Sequence, residues 1–333
     1  MLLVSPAFHG YWQSVSGALE RLGHDVTTHV YDDFSGLRAK VRNKLRYELP
    51  SRVIRSEARR MRRDVTTAAV SVVRENRPDV VVVIKGDVLD PDFWDLLDER
   101  RLPRVVWLYD ELRRVSYADE TLSRVGPIAT YSLHDLQRLA ERGVNARHLP
   151  LAFDATIPGR ARRGSSRDVV FVGARYPQRE QTLLALVEAG VEVRAFGRQW
   201  SHHPFDRLRT WDLGRPAVPA GRDLGREDAY RAMADAAAAL NIHGDQDGFT
   251  MRTFEACGVG AVQLIDRTDV GELYEPGAEL ATYSSVAELV ELCQRSVSDG
   301  RWSASLREGG RRRTLAEHTF DHRVAVLEEM WQG

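Results

Sequence analysis

The chain has 333 residues, 43% of them hydrophobic and 29% charged, with a formal net charge of −1. That length exceeds what one core usually serves, so two domains of roughly 150 residues each are expected. The composition excludes a fibrous or globally disordered protein, and no apolar run reaches the roughly 20 residues that cross a bilayer. Two cysteines, Cys257 and Cys293, can form neither a disulfide framework nor a tetrahedral zinc site. A protein without a secretion signal, working in the reducing cytoplasm, is the expectation.

Leu2 to Val4 reads as a buried strand, and Tyr11 to Leu22 then places Val15, Ala18, Leu19 and Leu22 at helical spacing before the stop at Gly23. Asp25 to Tyr31 is the next strand, which makes the opening a β-α-β unit. From Arg38 to Arg63, eleven Lys or Arg residues face only Glu48 and Glu57. This stretch reads either as a solvated helix pair or as the contact for an anionic partner: a membrane surface, a phosphorylated acceptor or nucleic acid. No stable nucleic-acid partner is expected, and a lipid contact would put the protein at the inner face of a membrane.

The run Asp79-Val80-Val81-Val82-Val83-Ile84 suits a central strand covered on both faces. A helix from Phe93 to Arg101, strands at Arg104 to Tyr109 and Ile128 to Tyr131, and a helix from Leu133 to Arg142 follow. The periodicity breaks at Ile157 to Ser166, which reads as a linker. The same grammar restarts with a strand at Val169 to Val172, Gly173, a helix from Gln178 to Ala189 and a strand at Glu192 to Phe196. Helices at Arg226 to Ala236 and Thr253 to Cys257 and strands at Ala238 to Ile242 and Ala261 to Ile265 complete it. The reading is α/β, two Rossmann-like doubly wound parallel-sheet domains at 1–155 and 167–318 with a linker at 156–166. In the tail 319–333, Val324, Leu327 and Trp331 make one apolar helical stripe.

In such sheets, ligands bind at the carboxyl ends of strands. Two segments there offer anion and ribose contacts. The first holds Gly173, Arg175 and Arg179. Arg179 begins a helix, against the dipole preference of a merely structural arginine. The second runs from Asn241 through His243, Asp247, Gly248, Phe249, Thr250 and Arg252 to Glu255. If a helix starts near Met251, its N–H groups face an anion, Arg252 adds a fixed cation, and Glu255 one turn in can accept ribose hydroxyls. Plainer readings stay open: surface arginines, and a first-turn acid at Glu255. In the N-terminal half, His9 and Gly10 follow the first strand, with Tyr11 opening its helix. Asp110 and Glu111 follow the strand at Arg104 to Tyr109, as a capping pair or as cleft residues. Asp245-Gln246-Asp247 matches the Asp-x-Asp metal signature of GT-A enzymes but lies within the better-fitting second segment, so no metal site is expected.

Asp247-Gly248-Phe249-Thr250-Met251-Arg252-Thr253-Phe254-Glu255 resembles the acid-x7-acid donor motif of retaining GT-B glycosyltransferases. The Arg-x-Phe-Glu-Ala-x-Gly form resembles the spore-maturation CgeB-like glycosyltransferases more closely. Val106-Trp107-Leu108-Tyr109-Asp110, Tyr131-Ser132, Leu149-Pro150-Leu151-Ala152, Phe171-Val172-Gly173 with Arg179, and His318-Thr319-Phe320-Asp321-His322-Arg323 resemble that family too, so the likeness spans nearly the whole chain. It implies a GT-B fold, a tail helix crossing back to the N-terminal domain, and transfer from a nucleoside diphosphate sugar, UDP favoured, with retention and without cofactor or metal. It further implies Glu255 on the ribose, Asp247 near the transferred sugar, and Arg179 with Arg252 on the diphosphate. The acceptor would enter from the N-terminal domain, where His9 or Asp110 would orient or deprotonate it. In one departure from the pattern, the first acid is Asp247 where Glu is usual. A nucleotide-sugar epimerase and a non-catalytic nucleotide-sugar or nucleic-acid binding protein are the alternatives.

Overall fold

The structure, a computed structural model, describes residues 1–32, 55–157, 166–212 and 214–333. The basic stretch from Arg38 as far as residue 54, and 158–165 of the expected linker, lie outside the described residues. The chain divides into two compact units, Met1–Pro150 with Phe320–Gly333, and Leu151–Thr319.

The first unit runs β1 (Leu2–Ser5), α1 (Tyr11–Arg21), β2 (Thr27–Val30), α2 (Arg55–Asn76), β3 (Val81–Ile84), α3 (Pro91–Glu99), β4 (Arg104–Leu108), α4 (Asp119–Leu122), β5 (Ile128–Thr130), α5 (Leu133–Glu141) and β6 (Ala146–His148). Its six strands are all parallel in the order β2-β1-β3-β4-β5-β6, with Val82 opposite Leu3 and Val105. The β-branched run of β3 is wholly enclosed, as a strand must be when helices cover both faces of its sheet. Phe93 and Trp94 of α3 pack in this unit's core, where Trp107 of β4 is also buried.

The second unit runs β7 (Val169–Val172), α6 (Pro177–Glu188), β8 (Val193–Phe196), α7 (Pro204–Thr210), β9 (Ala220–Gly221), α8 (Arg226–Asp235), β10 (Ala238–Asn241), α9 (Met251–Gly258), β11 (Gln263–Ile265), β12 (Ala281–Thr282), α10 (Val286–Ser298) and α11 (Gly300–Glu317). Its parallel order is β12-β11-β10-β7-β8-β9. The edge strands β6, β9 and β12 escaped the sequence reading because two or three residues make no apolar run. The helices α10 and α11 carry ordinary start signals. Ser285 Oγ accepts from Glu288 N at 3.2 Å, and Asp299 Oδ1 accepts from Trp302 N at 3.0 Å. Within α11, Gly309 and Gly310 let the helix approach the Ala278 and Glu279 carbonyls so closely that a Cβ would sit 2.4 Å from either oxygen.

The tail helix Phe320–Gln332 lies in the first unit, not with the residues that precede it. Phe320, Val324 and Leu327 are buried, and Phe320 meets the rings of Tyr11 and Trp107 at 6.4 and 6.2 Å. Exposed ion pairs at its rim join Asp321 to Arg21 and Glu329 to Arg147, each at 2.6 Å. Apolar burial outweighs such pairs, which are worth about 0–1 kcal/mol. Leu327→Ala is therefore expected to cost about 3 kcal/mol in urea unfolding, and Asp321→Asn under about 1 kcal/mol. Equal losses would overturn that ranking.

Candidate functional site

In the second unit the strand order reverses between β7 and β10, and ligands of open parallel sheets sit at that switch point. The carboxyl end of β7 is built for close approach. The Gly173 N–H donates to the Phe196 carbonyl at 3.1 Å, and its own carbonyl accepts from Trp200 Nε1 at 2.9 Å. Gly197 stands beside it with φ +150°, where a Cβ would lie 2.7 Å from the Gly173 oxygen.

Arg179, in the first turn of α6, spans the switch point. Its Nε donates to the Ile242 carbonyl beyond β10 at 2.8 Å, and its Nη1 to the Ala174 carbonyl beyond β7 at 3.1 Å. The guanidinium lies over the rings of Phe171 and Tyr176, 5.4 and 4.9 Å from their centroids. These contacts hold a cation at a helix N-terminus that the dipole alone would disfavour. Arg175 differs from the expectation of a diphosphate contact. Its guanidinium is matched by Glu180 at 2.7 Å and Asp212 at 2.8 Å, so it braces the loop.

The expected donor contact His243 is also placed differently. Its ring is enclosed, with Nδ1 3.0 Å from Asp266 Oδ1 and Nε2 3.4 Å from Thr253 Oγ1. Its main-chain N–H reaches both Asp266 oxygens, at 3.0 and 2.9 Å. Burial pushes the Asp266 pKa up, but the hydrogen bonds from the His243 ring and main chain and from Gly244 outweigh it and hold it below the carboxylate range. An ionised Asp266 only accepts, so His243 Nδ1 carries the proton and Nε2 faces the Thr253 hydroxyl. Asn241 Nδ2 donates to that hydroxyl at 3.0 Å and to Gln263 Oε1 at 3.1 Å, and Gln263 Nε2 donates to the Thr253 carbonyl at 3.1 Å. His243 thus shapes the strand end from beneath.

The loop after Gly244 is held by a residue the sequence reading missed. Arg267 Nη1 donates to the Gln246 and Asp247 carbonyls at 3.0 and 2.8 Å, and its guanidinium lies 4.6 Å from the Phe249 ring centroid. Phe249 also meets His243 edge-on at 5.6 Å, so its ring packs the loop. The Asp247 side chain is exposed and Gly248 is buried. Thr250 caps α9 in an extended conformation, without a side-chain bond to the first turn. Glu255 is 1% exposed. It accepts from the Tyr230 hydroxyl at 3.3 Å and pairs with Arg252 Nη1 at 2.8 Å, one helical turn away. The two side chains expected as separate ligand groups are therefore one ion pair, its carboxylate buried and its guanidinium partly so, with Arg252 Nε enclosed without a hydrogen-bond partner.

In the first unit the order reverses between β1 and β3. His9 is exposed with φ +50° after β1, followed by Gly10 at φ +76°, where a Cβ would meet Gln13 Oε1 at 2.8 Å. After β3 stands Lys85, also missed from sequence, with φ +64°; its ammonium pairs with Asp110 at 3.0 Å. Two expected acceptor contacts turn out otherwise. Tyr11 is buried against Phe8 and Phe320, and Glu111 is 1% exposed beneath Arg113 and Arg114, at 2.5 and 3.5 Å.

A family model described as glycosyl transferase-like matches residues 175–329, which contain the whole segment from His243 to Glu255. The chain is a glycosyltransferase. Solved structures show its fold to be GT-B. Sucrose-phosphate synthase from Thermosynechococcus elongatus aligns with TM-score 0.67 and 12% identity, over 100% of this chain and 98% of its own. A glycosyltransferase from Rickettsia africae gives 0.64 and 10%, over 99% and 97%. Anabaena HepE in complex with UDP and glucose gives 0.62 and 12%, over 98% and 99%. No curated protein matches the chain in sequence.

Because the folded protein holds Asp266 below its unfolded pKa, ionised Asp266 stabilises this glycosyltransferase above the ordinary carboxylate range. That contribution fades as pH falls through the lowered pKa. Asp266→Asn is expected to lower the neutral-pH urea midpoint and to flatten the acid limb of a midpoint-against-pH series. An unchanged acid limb would remove Asp266 from that role.

Proposed function

We propose that this glycosyltransferase moves a glycosyl group from a nucleoside diphosphate sugar, with a uridine nucleotide as the favoured donor. One observation carries the reading: Arg179 joins the ends of β7 and β10 at the switch point, beside the loop that leads into α9. The donor diphosphate lies against Arg179 and the first-turn N–H groups of α9, which stabilise the departing charge. A preorganised donor of this kind is worth about 3 kcal/mol at the transition state. Asp247 and Glu255 form the acid-x7-acid pair of a CgeB-like enzyme, with Asp247 toward the transferred sugar and Glu255, oriented by Tyr230 and Arg252, on the ribose hydroxyls. Transfer proceeds with retention and without a metal. The UDP and UDP-glucose bound to Anabaena HepE support the choice of nucleotide. The acceptor is handled by the first unit, where His9 and the Lys85–Asp110 pair occupy its own switch point.

Calorimetric titration of UDP and uridine into wild type and Arg179→Ala tests the assignment. The variant is expected to lose UDP affinity about tenfold or more, as for a charged hydrogen bond, while uridine affinity holds; equal losses would overturn it. Glu255→Gln, which keeps the side chain's shape, should weaken both ligands and transfer alike. Full transfer activity in the presence of a chelator is expected, and strict dependence on manganese would reinstate Asp245 and Asp247 as metal ligands.

A further inference from the structure

Helix α7 is built inside out. At about 100° per residue, Phe205 and Leu208 share one side of it, and Trp211 follows as the left-handed residue that ends the helix, φ +54°; the three are 57%, 66% and 70% exposed. Polar groups occupy the inward side. Asp206 is 3% exposed and accepts from Ser201 Oγ at 2.8 Å and Arg222 Nε at 3.0 Å. Thr210 Oγ1 accepts from Arg215 Nη2 at 2.8 Å, and the Arg215 side chain is wholly enclosed. A surface helix ordinarily turns its apolar stripe inward. Here a buried polar lattice fixes the helix, and the apolar stripe is left to solvent.

Arginines border the stripe: Arg207 and Arg209 flank it on either side. Of the acids of the segment, Asp206 is buried against Arg222, and Asp212, its side chain 44% exposed, is paired with Arg175 and Arg215. An aromatic and aliphatic ridge with a cationic border is complementary to an interface that is apolar within and anionic at its surface.

We propose that α7 is a membrane-contact element that seats Phe205, Leu208 and Trp211 among the headgroups and upper acyl chains of an anionic bilayer, with Arg207 and Arg209 on lipid phosphates. This goes beyond the transfer reaction and does not depend on it. Asp212, at the end of the ridge, holds Arg175 of the loop after β7 at 2.8 Å, so the lipid surface and that loop share one ion pair.

Flotation of the full chain with vesicles of phosphatidylcholine containing phosphatidylglycerol, against phosphatidylcholine alone, tests the proposal. Binding should favour the anionic vesicles and weaken with salt. The triple variant Phe205→Ser, Leu208→Ser, Trp211→Ser should bind about tenfold or more weakly while keeping its melting temperature, since it alters exposed side chains only. Brominated lipid should quench wild-type tryptophan fluorescence more than that of Trp211→Phe, which bears on this site independently of the basic stretch from Arg38. Undiminished vesicle binding by the triple variant would overturn the proposal. So would concentration-dependent self-association, seen by sedimentation, that the triple variant abolishes, because a second copy would then be what covers the ridge.

Discussion

A parallel sheet leaves main-chain carbonyls unpaired at the carboxyl ends of its strands, and at the switch point no following strand covers them. In the second unit, one guanidinium answers this at β7 and β10. Arg179 takes a carbonyl from beyond each strand and rests on Phe171 and Tyr176. The same contacts that tie the two strand ends together fix a cation at the switch point, where the proposed function puts the nucleotide's phosphates. Position and charge therefore come from a single side chain whose directions are already set.

Beneath that cation the sheet accepts an unusual load of buried polar groups. Asn241 and Gln263, on neighbouring strands, bond to each other and to Thr253 of α9, and His243 joins them to Asp266. Buried polar groups cost stability unless satisfied, but a connected set admits few alternative arrangements. Its effect is to fix α9 against β10 and β11, and with it the loop from Gly244 to Thr250. Arg267 completes the loop from above through the Gln246 and Asp247 carbonyls. Arg307 does comparable work at the opposite end of the sheet, donating to the Ala234, Ala236, Ala237 and Gly260 carbonyls from a buried position.

These roles explain why arginines dominate this chain without marking ligand sites. Arg175, Arg215, Arg267 and Arg307 satisfy carbonyls or acids within the fold, because a planar fork can serve several acceptors at once. Arg179 also serves carbonyls, and its place at the switch point distinguishes it. The pairing of Arg252 with Glu255 ties the two side chains together one helical turn apart.

Local periodicity was enough to read the strands β1, β3, β4, β7 and β10, the glycines that end their neighbouring helices, the doubly wound architecture, and the loop from Gly248 to Thr250 that enters a helix near Met251. Each depends on residues a few positions apart, whose spacing acts directly on strand pleat or helical turn. The apolar stripe of the tail was legible for the same reason. Its packing in the first unit was implied by the family resemblance and not by the stripe itself, whereas the enclosure of His243 and Tyr11, the matching of Arg175 by Asp212, and the parts played by Arg267 and Lys85 were decided only in three dimensions. Those contacts join residues 20 or more positions apart, or depend on which face of an element the fold covers. A lysine after a valine run or an arginine after a strand carries no local mark of the acceptor it will meet. Chain direction at the strand ends decided how Arg179 is held, by carbonyls beyond β7 and β10, and that direction is a property of the assembled sheet.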